Sequence, residues 1–188
     1  MSLKHAILGF LSFNASSGYD LKKAFDQSIQ HFWPANQGQI YTTLATLKDA
    51  GLVDQEIIER EGRLDVKLYH ITDTGREELH QWLSTPLPSQ DFREAFLVQV
   101  YFGSKLSDDE FVDLLQHEIQ ATERILSIYD SIYQSYVEKL ESKEGSRSLF
   151  LKLMPLEFGI LYNRNFLDWL NSFVKRMDTQ DYTLRDFQ

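Results

Sequence analysis

Apolar residues recur along this chain with two periods, and the change of period marks its elements. Leu3, Ile7, Phe10 and Leu11 share one side of a predicted helix over Leu3 to Phe13. Ser17 with Asp20 three residues on is a capping pattern. Leu21, Phe25 and Ile29 then recur every four residues through a second helix, on a face that Phe32 continues. Asn36 with Gln39 repeats the capping pattern and opens a third helix, Gln37 to Ala50, whose buried stripe is Ile40, Leu44 and Leu47. Gly51 stops it. From Leu52 the period shortens to two. The spacing predicts a strand from Val53 to Glu59, a glycine-centred turn over Glu61 to Asp65, and a return strand from Val66 to Ile71. Thr72 caps a fourth helix, Asp73 to Leu83, with Leu79, Trp82 and Leu83 as its apolar contacts.

Ser84 to Ser89 carries two prolines and reads as a linker. The expected divisions are an N-terminal domain over 1–84, a linker over 85–90, a helical domain over 91–177 and a polar tail over 178–188. A short, very apolar helix from Phe92 to Phe102 ends at Gly103. Ser107 with Glu110 then opens the longest periodic segment, Asp108 to Glu141. In it Leu115, Ile119, Leu126, Tyr129, Tyr133 and Tyr136 keep the spacing of fours and threes of a seam held over about four heptads. The last helix, Arg147 to Met177, carries a matching stripe that includes Leu167 and Leu170. Pro155 is expected to kink or restart it, because proline lacks the helical donor. Asn163 at an apolar position reads either as a register-setting polar group or as a shift of phase. One helix cannot bury so wide a stripe against a single neighbour. The seam residues Leu115, Ile119, Leu126, Tyr129, Tyr133, Tyr136, Leu167 and Leu170 are therefore the candidates for dimerisation, with intramolecular packing of the two helices on the hairpin-bearing domain as the alternative.

Three helices, a hairpin and a helix, in that order, make a winged helix-turn-helix. The fold class is mainly α with a small β-hairpin, followed by a long-helix dimerisation domain. In a winged helix the third helix enters the major groove and the hairpin reaches the backbone. At roughly 100° per residue, the face opposite the buried stripe carries Gln39, Thr42 and Thr46, with Tyr41 and Thr43 at its edges. Such short, uncharged, hydrogen-bonding side chains suit base edges and phosphates, and they equally suit a plain solvated face. Arg63 and Lys67 are the cations of the hairpin; the alternative is that they are solvated turn residues.

Composition narrows these readings. The chain has 188 residues, 43% hydrophobic and 13% aromatic, enough for a packed core in one large or two small domains. It has no cysteine, which removes disulfides, thiol catalysis and cysteine-ligated metals and fits a cytoplasmic setting. The apolar run Ala6 to Leu11 is too short to span a bilayer and reads as a core helix, not a signal peptide, so no membrane partner is expected. Net charge is −9, about −3 before Ser84 and −6 after it. A protein that coats nucleic acid by bulk charge is excluded. Contacts with DNA must come from a few placed cations and helix termini.

An enzyme is disfavoured. The histidines His5, His31, His70, His80 and His117 show no metal-ligand spacing, and no metalloprotease helix, nucleophile elbow or phosphate loop is present. No catalytic residue, metal or cofactor is therefore assigned. The four aromatics Trp33, Phe96, Tyr101 and Trp169 are candidates for stacking on a flat effector, against a plain core role.

Gly18-Tyr19-Asp20-Leu21, Phe32-Trp33-Pro34, Gly38-Gln39-Ile40-Tyr41, Gly51-Leu52-Val53, Glu61-Gly62-Arg63, Lys67 with Tyr69, Ile71-Thr72 and Gly75 together resemble a PadR-type transcriptional regulator. The second half, with Asp168-Trp169-Leu170, is similar to the helical C-terminal domain of the virulence-activator-like branch. The resemblance implies a bacterial, cytoplasmic homodimer that binds double-stranded operator DNA, usually as a repressor, with a small aromatic or lipophilic effector in some members. It places Gln39, Thr42 and Thr46 in the groove, Tyr41 at a phosphate, Lys22 and Lys23 on the backbone, and Arg63 and Lys67 on the wing. Tyr19 and Trp33 fall to the scaffold. Leu64 stands where many members carry proline, which leaves the wing tip freer. The competing reading is an adaptor that uses a winged helix to bind proteins without DNA.

Overall fold

The computed structural model describes residues 2–30, 32–59, 65–88, 93–140 and 147–183. It divides into two compact units, Met1–Gln90 and Asp91–Gln188. The N-terminal unit holds α1 (Ser2–Phe13), β1 (Ser16–Ser17), α2 (Gly18–Ser28), α3 (Gln37–Asp49), β2 (Val53–Ile58), β3 (Val66–Ile71) and α4 (Asp73–Ser84). The C-terminal unit holds α5 (Ala95–Tyr101), a 3-10 turn over Gly103–Lys105, α6 (Asp108–Leu140) and α7 (Arg147–Asp178).

The period change at Leu52 does mark a hairpin. β2 and β3 pair antiparallel with Gln55 opposite Tyr69 and Val53 opposite Ile71. A third strand escaped the pattern: Ser16 and Ser17 pair with Tyr69 and Leu68, giving the order β1-β3-β2. Two serines carry no period, so nothing in their sequence announced it. The hairpin turn expected over Glu61 to Asp65 falls mostly outside the described residues, and Arg63 with it.

The core of the N-terminal unit is one cluster. Ile7, Leu8, Leu21, Phe25, Ile40 and Leu44 are fully buried in it, and each is worth ~1.5–3 kcal/mol of apolar burial. Gly51 ends α3 at φ +68°, a conformation that costs a side chain about a kcal/mol or more. Leu52 then turns into β2, and Thr72 ties the corner by donating its hydroxyl to the Gly51 carbonyl at 2.8 Å while its oxygen accepts from Gly75 N–H at 3.0 Å. Gly75 lies so close to the Leu52 carbonyl that a Cβ there would run into it.

In the C-terminal unit α6 and α7 pair along their length. Phe96, Phe111, Leu115, Ile119 and Leu170 form one buried patch, and Leu126, Tyr129 and Ile160 a second. The expected seam is thus used inside one chain. Leu115, Ile119, Leu126, Tyr129 and Leu170 are buried between α6 and α7, and Leu167 packs beside them, so these side chains make contacts within this chain. Of the seam, Tyr133 is exposed and Tyr136 half-buried. Pro155 sits inside α7 without ending it: the helix runs unbroken from Arg147 to Asp178, so no restart occurs. The half-buried Asn163 donates to the Gly159 carbonyl one turn back at 2.8 Å, so its own helix satisfies it. The described part of the tail folds back, with the Arg176 guanidinium donating to the Asp181 and Thr183 carbonyls. Among the described residues no helix is long and apolar enough to cross a membrane.

Candidate nucleic-acid interface

α3 presents the surface of interest because its two faces differ completely. Ile40 and Leu44 are fully buried and Leu47 nearly so, which fixes the helix against the core. Opposite them Gln39, Thr42, Ala45 and Thr46 are exposed. The N-terminus is locked by a reciprocal capping box: Asn36 Oδ1 accepts from Gln39 N–H, and Gln39 Oε1 accepts from Asn36 N–H, both at 2.9 Å. Gln39 therefore spends its carbonyl on the cap and keeps its amide donors for a partner. Thr46 donates to the Thr42 carbonyl at 3.1 Å and Thr43 to the Gln39 carbonyl at 2.7 Å. Each threonine then shows a ligand its methyl and an accepting oxygen. Ala45 was not among the expected contacts. Its exposed methyl lies beside Thr42 on the same face of the helix and suits a thymine methyl. The residue's opposition to the buried stripe was the signal that could have found it.

Tyr41 stands at the edge of this face. Its ring lies over Gly18, at the start of α2, so closely that a Cβ on Gly18 would overlap it. Gly18 is thus the glycine that lets α3 and α2 approach. The Tyr69 phenol is pushed above its usual value of 10.0 by burial first and by the nearby Tyr41 phenol second, so it stays neutral at physiological pH. Tyr19, expected in the scaffold, is corrected to the surface, being 67% exposed. Tyr19 follows Gly18 directly at the start of α2, so two exposed phenols, Tyr19 and Tyr41, belong to this surface. Trp33, by contrast, is half-buried against the core, as a scaffold residue should be.

The cations are unequal. Lys22 is engaged by Asp26 one turn along α2, so a phosphate would have to compete with that carboxylate for it. Lys23 is exposed and, among the described residues, makes no ion pair. Lys67 is exposed on β3. Lys48, missed by the sequence reading, extends from the last turn of α3 to Gln55 Oε1 at 3.2 Å and ties the helix to β2. Arg63 lies outside the described residues.

The four effector candidates divide between the two units. Trp33 belongs to the N-terminal unit. Phe96 and Trp169 meet edge-on in the C-terminal unit, with centroids 6.3 Å apart, and Phe166 stacks on Trp169 at 5.7 Å. Phe96 is buried there, whereas Tyr101 is 81% exposed and lies outside that cluster. Among the described residues no group of histidine and carboxylate side chains is arranged to hold a metal.

Comparison with known proteins agrees with this geometry. Residues 7–81 match the model of the transcriptional regulator PadR-like family, and residues 92–178 match that of the virulence activator alpha C-terminal region. The chain is 32% identical to the negative transcriptional regulator PadR of Bacillus subtilis over 94% of its own length and 97% of that protein's. The crystal structure of Bacillus subtilis PadR in complex with operator DNA superposes with a TM-score of 0.83 at 30% identity, covering 94% of this chain and 99% of that one. The same regulator in complex with p-coumaric acid superposes at 0.73 with 31% identity, covering 94% and 95%. Matched over nearly its whole length in sequence and in fold, this chain belongs to the PadR-like family of transcriptional regulators.

Proposed function

We propose that this regulator is a cytoplasmic, homodimeric repressor that binds operator DNA through α3 and releases it when a small aromatic effector binds. The observation that carries the reading is the exposed, uncharged face Gln39, Thr42, Ala45 and Thr46, held rigid by a capping box at one end and a fully buried stripe behind. A groove-reading helix needs that rigidity, because base contacts are worth only ~1–3 kcal/mol each and are lost on small displacements. The relatives solved with operator DNA and with p-coumaric acid support both halves of the proposal. Tyr41, Tyr19, Lys23 and Lys67 serve the phosphates in this reading, and no catalytic step is assigned to the chain.

Dimerisation is assigned to the surface that α6 and α7 leave uncovered. Ile125 and Ile128 on α6, with Phe158, Leu161 and Tyr162 on α7, are large apolar side chains at 41–70% exposure. Such a set on a two-helix layer is completed by a symmetric second layer. Fluorescence anisotropy on the chain's own upstream region tests the DNA reading. The Thr42→Ala, Thr46→Ala double variant is expected to stay folded and dimeric while binding weakens by ten- to several-hundred-fold. Unchanged affinity would remove α3 from the interface. Binding by the parent that is absent at low salt would favour the protein-adaptor reading instead.

A further inference from the structure

An open groove of about 580 Å³ lies beside the N-terminus of α3. Lys22, Asp26 and Gln30 line it from α2 and its end, and Asn36 and Gln39 line it from the capping box. Among the described residues of the groove, Lys22 is the one cation and Asp26 the one anion, and they pair with each other. Neither is buried, at 29% and 45% side-chain exposure. The Asp26 carboxylate does little for the fold. It stands in the last turn of α2, where the helix dipole disfavours negative charge. The pair also runs from cation to anion along the chain, which is the weaker order in a helix, and exposed pairs of this kind add little to stability. A carboxylate is thus kept beside the DNA-reading helix, where folding does not require it.

We propose that Asp26 is a specificity-determining residue: it holds Lys22 in reserve, so that this cation reaches a backbone phosphate only in the register that α3 fixes on its operator. The inference rests on the reading of α3 as the groove helix. In a helix-turn-helix the helix before the recognition helix crosses the phosphate backbone. Lys22 and Asp26, on α2 and beside the cap of α3, therefore stand where a phosphate runs. A phosphate within hydrogen-bond reach of the Lys22 ammonium, ~3 Å, comes within about 6 Å of the Asp26 carboxylate, inside the Debye length of ~8 Å at physiological salt. The two anions repel unless the ammonium stays between them, and its three donors allow it to bridge.

The consequence differs between matched and unmatched duplexes. On an unmatched duplex the protein is held by charge alone, and a neutral Lys22–Asp26 pair adds nothing to that charge. On the operator, base contacts from Gln39, Thr42 and Thr46 hold one register. A phosphate then stays at the groove long enough for Lys22 to turn from the carboxylate and bridge to it. The operator complex thus neutralises one more phosphate than the unmatched complex does. Selectivity gained by weakening the unmatched complex is useful to a regulator, because unmatched sites outnumber its operator by ~10⁶ or more.

The test uses the full chain, the duplex footprinted in its own upstream region, and a scrambled duplex of the same length. Anisotropy is read from ~50 to ~200 mM salt, the range over which phosphate contacts lose affinity. Asp26→Asn should melt like the parent but bind the scrambled duplex about five- to tenfold more tightly, with a log–log salt slope steeper by ~0.9, the value of one phosphate. Its operator affinity should rise threefold at most, with the slope unchanged. Lys22→Gln should lower the operator slope by about the same ~0.9. Asp26→Glu should restore the parent's selectivity, and Asp113→Asn, an exposed position in the C-terminal unit, should move neither slope. The proposal is overturned if Asp26→Asn leaves scrambled binding and its slope as they were. It is equally overturned if both duplexes gain by the same factor, which is a plain charge effect, or if Asp113→Asn acts alike. The Thr42→Ala, Thr46→Ala variant separates the two readings. If it loses the operator while Asp26→Asn is silent, the reserve fails and the groove helix stands; if it binds the operator like the parent, the groove helix fails and the reserve with it.

Discussion

In the N-terminal unit, twelve buried residues from α1, α2, α3, β2, β3, the α2–α3 connection and the α3–β2 corner form one continuous cluster. In the C-terminal unit the described buried residues fall into two patches, of five and three, strung along α6 and α7. Both units are rich in apolar side chains, so composition does not separate them. Layering does. Helices packed on one another and on a small sheet enclose an interior, whereas two paired helices have only a line of contact and must leave their outer stripes exposed. The C-terminal unit accordingly shows Phe150, Phe158, Leu161 and Tyr162 at 45–70% exposure. The first unit encloses a continuous core, although Phe13, Phe32, Ile57 and Leu83 stay exposed on it. The second has apolar surface left over, which is what an assembly element needs.

The comparison is broken most severely by Gly75→Val. The added carbons would collide with the Leu52 carbonyl, the point where α4 meets the α3–β2 corner. A loss of about 4 kcal/mol or more is expected, seen as unfolding of the N-terminal unit in urea while the helical signal of α6 and α7 persists. Truncating the two cores alike sharpens the contrast. Leu44→Ala, fully buried in the continuous cluster, should cost about 3–4 kcal/mol, and Leu126→Ala, at 9% exposure in the smaller patch, about 2 kcal/mol, by the same denaturation curves. Phe158→Ser leaves the intrachain packing almost untouched at 70% exposure, yet should raise the dimer dissociation constant by tenfold or more, about 1.4 kcal/mol, in sedimentation equilibrium. A monomer–dimer balance equal to the parent's would detach that stripe from assembly.

Smaller effects lie at the helix ends of the N-terminal unit. Asn36→Ala removes the acceptor for Gln39 N–H and should cost about 1 kcal/mol of stability, with a matching loss of operator affinity. Glu78 sets the pH response. Lys4 and His5 hold its carboxyl below the ordinary 4.5, so its stabilising contribution is complete above that value and is lost as pH falls through the lowered one. Glu78→Gln should therefore lower thermal stability modestly at neutral pH and flatten its dependence on pH in the acid range below 4.5, where the parent loses the same contribution.

Much of this was legible from the residues. The third helix was, because Asn36, Gln39, Ile40, Leu44, Leu47 and Gly51 each state a local rule, and the rules agree. The exposure of Thr42 and Thr46 followed from the same period. What the pattern left open were matters of partnership. Periodicity marks Leu115, Ile119 and Leu170 as apolar without saying whether their partner lies in the same chain or another. Tyr19 reads as aromatic and hence interior until its surroundings are known, and it proves exposed. Lys22 counts as a cation in the sequence and is engaged by Asp26 in the fold.

The sequence by itself determined the elements, their order and the faces of α3, since caps, period and glycine stops act over a few residues. Only the tertiary structure decided what meets what: that Ser16 and Ser17 join the sheet, that His5 stacks on Trp82 across α1 and α4, and that the α6 seam closes on α7. Local rules are short-ranged and nearly additive along a chain. Contacts between distant residues depend on how whole elements pack, and no single stretch of sequence contains that information.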